Sequence, residues 1–232
     1  MKRLAELCIR PLRIAFDHWE LKEVYEKSVK IAVKSGIKHL SNYLLYNFMD
    51  KPSDLYDRLR MNIDLCEKLN ASIYSFPMKY HPIKGENSHD RDFIGEKWNR
   101  KYIRAVQAIL NATKGKIGRG VSFFNKAFGA NEEEFMELLI MPETFLIFRL
   151  FFEHIGYTQA WREDYYGLSD SERKEINSII FKNDFNNIES LTCNARLLEV
   201  LKYYKNYRTD IATHDSELYK QKQAFEEKLK GI

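Results

Sequence analysis

The sequence predicts an α/β fold with parallel strands, followed by a mainly helical C-terminal region. Three observations support this prediction. Short apolar runs alternate with amphipathic helical segments over residues 12–80. Helix start and stop signals separate those runs. From residue 92 onward, apolar side chains recur at helical spacing. We therefore place the boundary between the two regions between residues 91 and 92.

The first predicted β-α pair covers residues 12–36. Leu12–Asp17 is a short apolar run that ends in a carboxylate, which predicts a strand. Glu20–Ser35 carries apolar side chains at helical spacing, and Gly36 follows as a helix stop signal.

A second strand, a helix and a third strand follow. Leu40–Asn47 and Ser72–Lys79 are apolar runs too short to be helices of their own. Between them, Pro52 suits the first helical turn, and Asn70 marks the helix end. The buried stripe of this helix contains Leu55, Leu59, Ile63 (or Asn62), Cys66 and Leu69. Two strands joined by one such helix are expected to be parallel, with a right-handed connection.

Functional residues are expected at the carboxyl ends of these strands, because ligands bind there in parallel α/β folds. The ends are Asp17, Asn47–Asp50 and Phe76–Tyr80. Asp54 follows closely, but an acidic residue there is typical of helix capping. Asp17 and Asn47 are equally compatible with a ligand contact and with a structural role. Phe76-Pro77-Met78 is compatible with stacking on an adenine ring or with core packing.

The region after residue 91 contains the predicted helices 92–113, 142–155, 169–180 and 188–207, and a charged, frayed tail over 216–230. A further predicted helix begins after Asn131 and buries Phe135, Leu138 and Leu139. Asn131 and Ser169 occupy helix-capping positions. Between the first two helices lies the basic loop Lys114–Gly120 (KGKIGRG), which suits a phosphate cradle or a solvated connection. It is not a P-loop, because the GxxxxGK[ST] pattern is absent.

Composition narrows the class of protein further. The 232 residues are 44% hydrophobic, which is enough for a sizeable core. No apolar run of about 18 residues is present, so we expect no membrane span. The basic N-terminus is interrupted by Glu6 and Arg10 and does not resemble a signal peptide. Three scattered cysteines are typical of a reducing compartment, which predicts a cytoplasmic protein.

Neither charge nor histidine spacing indicates a specialised site. The net charge of +4 does not by itself indicate nucleic acid, and we do not expect nucleic acid as a partner on this ground. The six histidines lack metal-ligand spacing, so we expect no metal site. The segment LKYYKNYR is compatible with a nucleic-acid contact, but such a segment more often forms a helix surface with extended basic side chains.

Several segments together resemble the radical SAM enzyme family. These are PLRIAFD, NYLLYNFMDKPSDLYDRL and IYSFPMKYHPI, which are similar to the last three βα units of that barrel. Two later segments, GEKWNRKYIRAVQAIL and FFNKAFG with EEFMELLIMPE, resemble the C-terminal part of an uncharacterised bacterial radical SAM group. The tail after Tyr157 has no such resemblance.

The resemblance implies a partial (β/α) barrel over residues 1–91 and a helical C-terminal region over 92–232. It also implies S-adenosyl-L-methionine as a cofactor shared with a partner chain. The residues implied to contact this cofactor are Asp17, Asn47, Asp50, Tyr74, Phe76 and Met78.

The chain departs from the family in its cysteines. The family holds its iron–sulfur cluster in a CxxxCxxC loop, whereas this chain has only Cys8, Cys66 and Cys193. We therefore expect no iron–sulfur cluster in this chain. The resemblance implies a C-terminal half, which is a split gene product, a truncated copy or a decayed enzyme.

Two classes of function follow from the sequence. The chain is either the C-terminal half of a radical SAM-like enzyme, supplying adenosine and substrate contacts, or a non-catalytic binding module that uses its helical region. The expected partners are a cluster-bearing N-terminal half or a second copy of this chain.

Overall fold

A computed structural model describes residues 1–7, 9–86, 88–115, 117–118 and 120–231. The chain forms two compact units, Met1–Leu139 and Ile140–Ile232. The first unit contains the sheet and extends beyond residue 91, where the sequence analysis divides the chain. The helices between residues 92 and 139 therefore group with the sheet.

The sheet confirms the predicted α/β class and its parallel strands. It contains β1 (Leu12–Arg13), β2 (His39–Tyr46) and β3 (Ser72–Lys79), in that order. Both neighbouring pairs are parallel. The sheet is small and open, and both β1 and β3 are edge strands.

β1 is shorter than the predicted strand Leu12–Asp17. The backbone hydrogen bonds between β1 and β2 end with the one that the Ile14 N–H donates to Ser41 O, at 3.0 Å. Beyond this point, the carbonyl oxygens of Phe16 and Asp17 accept hydrogen bonds from an arginine side chain of a neighbouring helix. The backbone therefore leaves the sheet because a side chain replaces the strand as its hydrogen-bond partner.

The outer edge of β3 also offers few backbone groups for pairing, for a different reason. The Ser75 N–H points outward and donates to Ile117 O at 2.9 Å. Two residues later, Pro77 has no N–H to offer, which suits its place in an edge strand. Backbone pairing along this edge is therefore confined to its first half.

Two helices connect the strands at or near the predicted positions. A 3₁₀ turn at Trp19–Leu21 leads into α2 (Lys22–Lys34), and α3 covers Pro52–Leu69. After α2, Gly36 has φ of +94°, and the Ile37 N–H donates to Ala32 O at 3.0 Å. This pattern is a Schellman motif, which satisfies the last carbonyl groups of the helix. Asn70, with φ of +47°, ends α3.

A chain of hydrogen bonds joins both helices to one face of the sheet. Tyr25 of α2 donates to Asn62 of α3, and Asn42 of β2 donates to the Tyr25 hydroxyl, both at 2.8 Å. Asn62 in turn donates to Ser75 of β3 at 2.8 Å. The neighbouring apolar side chains Leu40, Leu44 and Ile73 are almost completely buried. α2 and α3 therefore cover this face.

The remaining helices of the first unit are α1 (Lys2–Glu6), α4 (Arg100–Ala112), α5 (Val121–Phe128) and α6 (Glu132–Ile140). The prediction of one helix over 92–113 is wrong at its start. The Asn99 side chain accepts from the Tyr102 N–H at 2.9 Å and caps α4. The side chain of Asn131 caps α6 as predicted, accepting from the Glu134 N–H at 2.9 Å.

The second unit is helical. Its helices are α7 (Glu143–Ile147), α8 (Arg149–His154), α9 (Tyr157–Tyr166), α10 (Asp170–Ile180), α11 (Ala195–Lys202), α12 (Arg208–Ala212) and α13 (Glu217–Lys230), with a 3₁₀ turn at Ile188–Ser190. The predicted helix 142–155 is two helices, because Phe148 leaves the helical conformation. The predicted helix 188–207 is shortened to α11, and the predicted frayed tail forms α13.

Aromatic side chains form the core of the second unit. Trp161, Phe145 and Phe152 are completely buried. The Phe145 and Phe152 rings stack at 4.4 Å between centroids. None of the described helices combines the length and apolar character needed to cross a lipid bilayer.

The predicted capping box at the start of α10 is present. The Ser169 N–H donates to the Glu172 carboxylate at 2.9 Å, and the Ser169 hydroxyl accepts from the Glu172 N–H at 3.3 Å. These contacts with Ser169, the backbone bond first, lower the pKa of Glu172. A carboxyl group with a lowered pKa stabilises the fold above its unfolded pKa, and the stabilisation is lost as the pH falls through its folded pKa.

We expect Ser169→Ala to lower the free energy of unfolding of the second unit by about 1 kcal/mol at pH 7. Glu172→Gln should also destabilise it at pH 7, and its difference from the native protein should shrink below about pH 4.3. Amide hydrogen exchange in α10 across this pH range measures both effects. Glu189→Gln, which removes the same charge elsewhere, is the control. An equal effect of both glutamine variants would contradict the capping role.

Candidate functional site

The carboxyl edge of the sheet is organised around one buried arginine. Arg58, on α3, is completely buried. Its Nη1 donates to Asp17 O at 2.9 Å and to Phe16 O at 3.3 Å, and its Nη2 donates to Leu45 O at 2.9 Å. The guanidinium group therefore joins the backbone that follows β1 to the end of β2.

Asp50 neutralises this arginine. Its Oδ2 lies 3.1 Å from Arg58 Nη2, and its Oδ1 accepts from the Phe48 N–H at 2.9 Å. Burial raises the pKa of the Asp50 carboxyl, and the hydrogen bond from Phe48 and the charge of Arg58 oppose this rise. The Trp98 indole N–H donates to Asp50 O at 2.9 Å. Both carboxylate oxygens of Asp50 thus have partners within the protein.

The side chain of Asn47 forms a second set of hydrogen bonds at the carboxyl edge of the sheet. It is completely buried and has φ of +72°. Its Nδ2 donates to Tyr80 O at 3.1 Å and to Phe93 O at 3.0 Å, and its Oδ1 accepts from the Gly95 N–H at 2.8 Å. A Cβ atom on Gly95 would lie 2.5 Å from Phe48 O, so only glycine permits this approach. Asn47 thereby ties the residues after β3 to the end of β2.

Asp17 differs from Asn47 and Asp50. Its backbone carbonyl accepts from Arg58, while its side chain is exposed to solvent. Of the three residues predicted at the carboxyl edge, Asp17 thus leaves its carboxylate accessible to a ligand.

The other three predicted site residues, Tyr74, Phe76 and Met78, lie on the sheet face opposite α2 and α3. Their exposed fractions are 52%, 46% and 47%, and Tyr43 on the neighbouring strand is 42% exposed. The register pairs Tyr43 with Phe76, and their ring centroids are 5.8 Å apart. We call these four side chains the open face. Parallel sheets are usually covered on both faces, so their exposure is unusual.

Two polar groups border the open face. The Arg13 guanidinium lies 5.7 Å from the centroid of the Tyr43 ring, within the range of a cation–π contact. Register and strand alternation place Ser41 on this same side, between Arg13 and Tyr74. The Ser41 hydroxyl is buried and has no hydrogen-bond partner among the described residues.

The backbone at Gly118, in the loop Lys114–Gly120, lies beside the open face. A Cβ atom on Gly118 would be 3.2 Å from the Tyr74 ring, so the backbone at Gly118 rests against this ring. Lys116 and Arg119 belong to the same loop by sequence but lie outside the described residues.

The described residues contain no group of three or more His, Cys, Asp or Glu side chains arranged to hold a metal ion. Cys66 is buried and Cys193 is exposed, while Cys8 lies outside the described residues.

Comparisons with models of known protein families, with curated proteins and with solved structures find no match to this chain.

Sequence reasoning missed Arg58 because Asp54 and Arg58 have the i,i+4 spacing of a surface ion pair. A signal was nonetheless present. Arg58 lies between Leu55 and Leu59 on the apolar side of α3, as Asn62 does one turn later. A polar residue inside an apolar stripe indicates a buried hydrogen-bonding partner.

We expect Arg58→Met to lower the free energy of unfolding by about 3–5 kcal/mol, because it leaves Asp50 as an unpaired buried charge. Arg60→Met is the control. Arg60 is on the same helix, is partly exposed, pairs with Asp64 at 3.3 Å and donates to Asn125 Oδ1 at 2.8 Å, so its loss should cost about 1–2 kcal/mol. Chemical unfolding followed by circular dichroism measures both. Equal stability of the two variants would contradict the organising role of Arg58.

Proposed function

We propose that this chain is the C-terminal part of a radical SAM-like enzyme, folded as a partial (β/α) barrel and paired with a cluster-bearing chain. In this proposal it supplies adenosine and substrate contacts. The observation that carries the proposal is the open face. A parallel sheet with helices on one face and exposed aromatic side chains on the other is what a barrel segment presents when the rest of the barrel belongs to another chain.

The residues of this chain fit the organic part of S-adenosylmethionine. Phe76 and Tyr74 present exposed rings, which favour stacking with a planar base such as adenine. The exposed Asp17 carboxylate is an acceptor suited to the hydroxyl groups of a ribose. Asn47 and Asp50 support the same edge indirectly, since their side chains hold the backbone between β2 and Gly95.

The two cysteines that the structure describes do not fit an iron–sulfur cluster, which requires several thiolates close together. Cys66 is buried in α3, and its thiol is a hydrogen-bond partner of Ile73. The cluster is therefore assigned to the partner chain, and the contribution of this chain is to bind and orient the adenosine group. When bound, S-adenosylmethionine would supply the radical chemistry at the cluster of the partner.

We expect the purified chain to bind S-adenosylmethionine, and Phe76→Ala to weaken this binding by roughly 5- to 150-fold, the value of one lost base–aromatic stack. Phe123→Ala is a matched control, because Phe123 on α5 is 48% exposed, close to the 46% of Phe76. Isothermal titration calorimetry measures the affinities. No binding, or the same loss of affinity in both variants, would overturn the adenosine contact.

The partner is tested separately by co-expression with a chain that carries a CxxxCxxC loop. We expect a complex that contains iron after anaerobic reconstitution and that is weakened by Tyr43→Glu, which places a charge on the open face. Phe123→Glu is the control. A complex unaffected by Tyr43→Glu would show that the open face is not the contact surface.

A further inference from the structure

We propose that a cavity at the amino end of β2 binds a phosphate group, carried by a soluble phosphate monoester or by a lipid headgroup. β2 runs from His39 to Tyr46, which places this cavity about 23 Å along the strand from the carboxyl edge of the sheet. The inference goes beyond the proposed function and does not depend on it, since S-adenosylmethionine carries no phosphate group.

The cavity has a size that suits one small anionic group. Its volume is about 170 Å³, and the described residues that line it belong to α1, to the segment before β1 and to the turn between α2 and β2. A single water needs only about 10–15 Å³, whereas sites that enclose drug-sized ligands measure about 300–1,000 Å³. We therefore expect the cavity to enclose one group of a ligand rather than a whole nucleotide.

The charge at this cavity favours an anion. Three of its described lining residues, Arg10, Lys38 and His39, are basic, and the others are glycine or apolar. Arg10 and Lys38 carry a positive charge at pH 7, and the His39 ring offers at least one N–H donor. The carboxylate closest to the cavity along the chain, that of Glu6 on α1, is paired with Arg3 at 2.9 Å.

The three basic side chains have no competing partner within the part of the chain that the structure describes. Arg10, Lys38 and His39 form no side-chain hydrogen bond or ion pair with another described residue. All three are exposed to solvent, so their side chains can turn toward a ligand without breaking an existing contact. Lys30 on α2, by contrast, is already paired with Glu26 at 2.8 Å.

The turn between α2 and β2 provides both space and a fixed backbone. A Cβ atom on Gly36 would have no other atom within 4 Å, so the backbone here borders open space. The hydrogen bond from the Ile37 N–H to Ala32 O fixes the same turn, directly before Lys38 and His39. Because this backbone is ordered before a ligand arrives, binding costs less conformational entropy.

The number of donors favours a phosphate monoester over a carboxylate. The guanidinium group of one arginine satisfies both oxygens of a carboxylate. A phosphate monoester has three terminal oxygens and a charge of about −1.5 to −2 at pH 7. Its charge matches those of Arg10 and Lys38, and the His39 N–H can serve the remaining oxygen. We therefore expect a preference for monoesters over diesters, which carry one negative charge.

The first test is isothermal titration calorimetry of the full-length chain with glycerol 3-phosphate. We expect saturable binding that weakens as KCl is added, because salt screens exposed charges. Arg10→Gln and Lys38→Gln should each weaken binding by roughly 5- to 30-fold, between the value of an exposed ion pair and that of a charge-assisted hydrogen bond.

Lys34→Gln is the matched control. Lys34 is an exposed lysine four residues before Lys38, and it is not among the residues that line this cavity. Its substitution removes the same charge and should change the affinity little. Circular dichroism of each variant verifies that the fold is retained.

Co-sedimentation with lipid vesicles distinguishes the two sources of the phosphate group. One vesicle type contains phosphatidic acid, a phosphate monoester, and the other contains phosphatidylglycerol, a diester, at matched surface charge. Binding of glycerol 3-phosphate in solution supports a soluble ligand. Binding that is confined to the phosphatidic acid vesicles and is lost in Lys38→Gln supports a lipid headgroup.

Three results would overturn the proposal. The first is no saturable binding of glycerol 3-phosphate below about 10 mM together with no binding to phosphatidic acid vesicles. The second is equal binding to both vesicle types without binding in solution, which indicates ionic attraction alone. The third is an equal loss of affinity in Lys34→Gln and Lys38→Gln. Binding of S-adenosylmethionine, measured without phosphate, fails or succeeds independently of all three.

Discussion

The arrangement of the carboxyl edge depends on the buried guanidinium group of Arg58. A planar group with five N–H donors satisfies several backbone carbonyls at once, and here these belong to Asp17 after β1, to β2 and to α3 itself. Such a group is stable in the interior only when its charge is neutralised, which Asp50 does. Because Asp50 also fixes the backbone at Phe48, the turn before α3 and the end of the sheet are held as one unit.

Local signals predicted the elements whose boundaries are set locally. Pro52 at the start of α3, Asn70 at its end and the Ser169–Glu172 box act on their own backbone, and these features were confirmed. Elements with boundaries set by distant contacts were predicted less well. Trp98 has the apolar character of the following helix, but its indole N–H bonds to Asp50, and the helix begins only after Asn99.

The candidate site was only partly accessible to sequence reasoning. The rule that ligands bind at the carboxyl ends of strands directed attention to Asp17, Asn47 and Asp50, and all three lie at that edge. The rule does not reveal that Asn47 and Asp50 direct their polar atoms toward the protein. Alternation within β3 placed Tyr74, Phe76 and Met78 on one side. Their exposure could not be predicted, because it depends on whether another element packs over them.

The two edge strands of the sheet have features that restrict how this chain associates with other molecules. β1 offers backbone groups over only two residues, and Pro77 interrupts the donors along β3. A strand of a partner chain that continues the sheet at these edges therefore gains few backbone hydrogen bonds. A molecule that covers the open face must therefore be held mainly by side-chain packing. Association of that kind stops once the face is covered, so the protein carries exposed aromatic surface without providing a template for fibril growth.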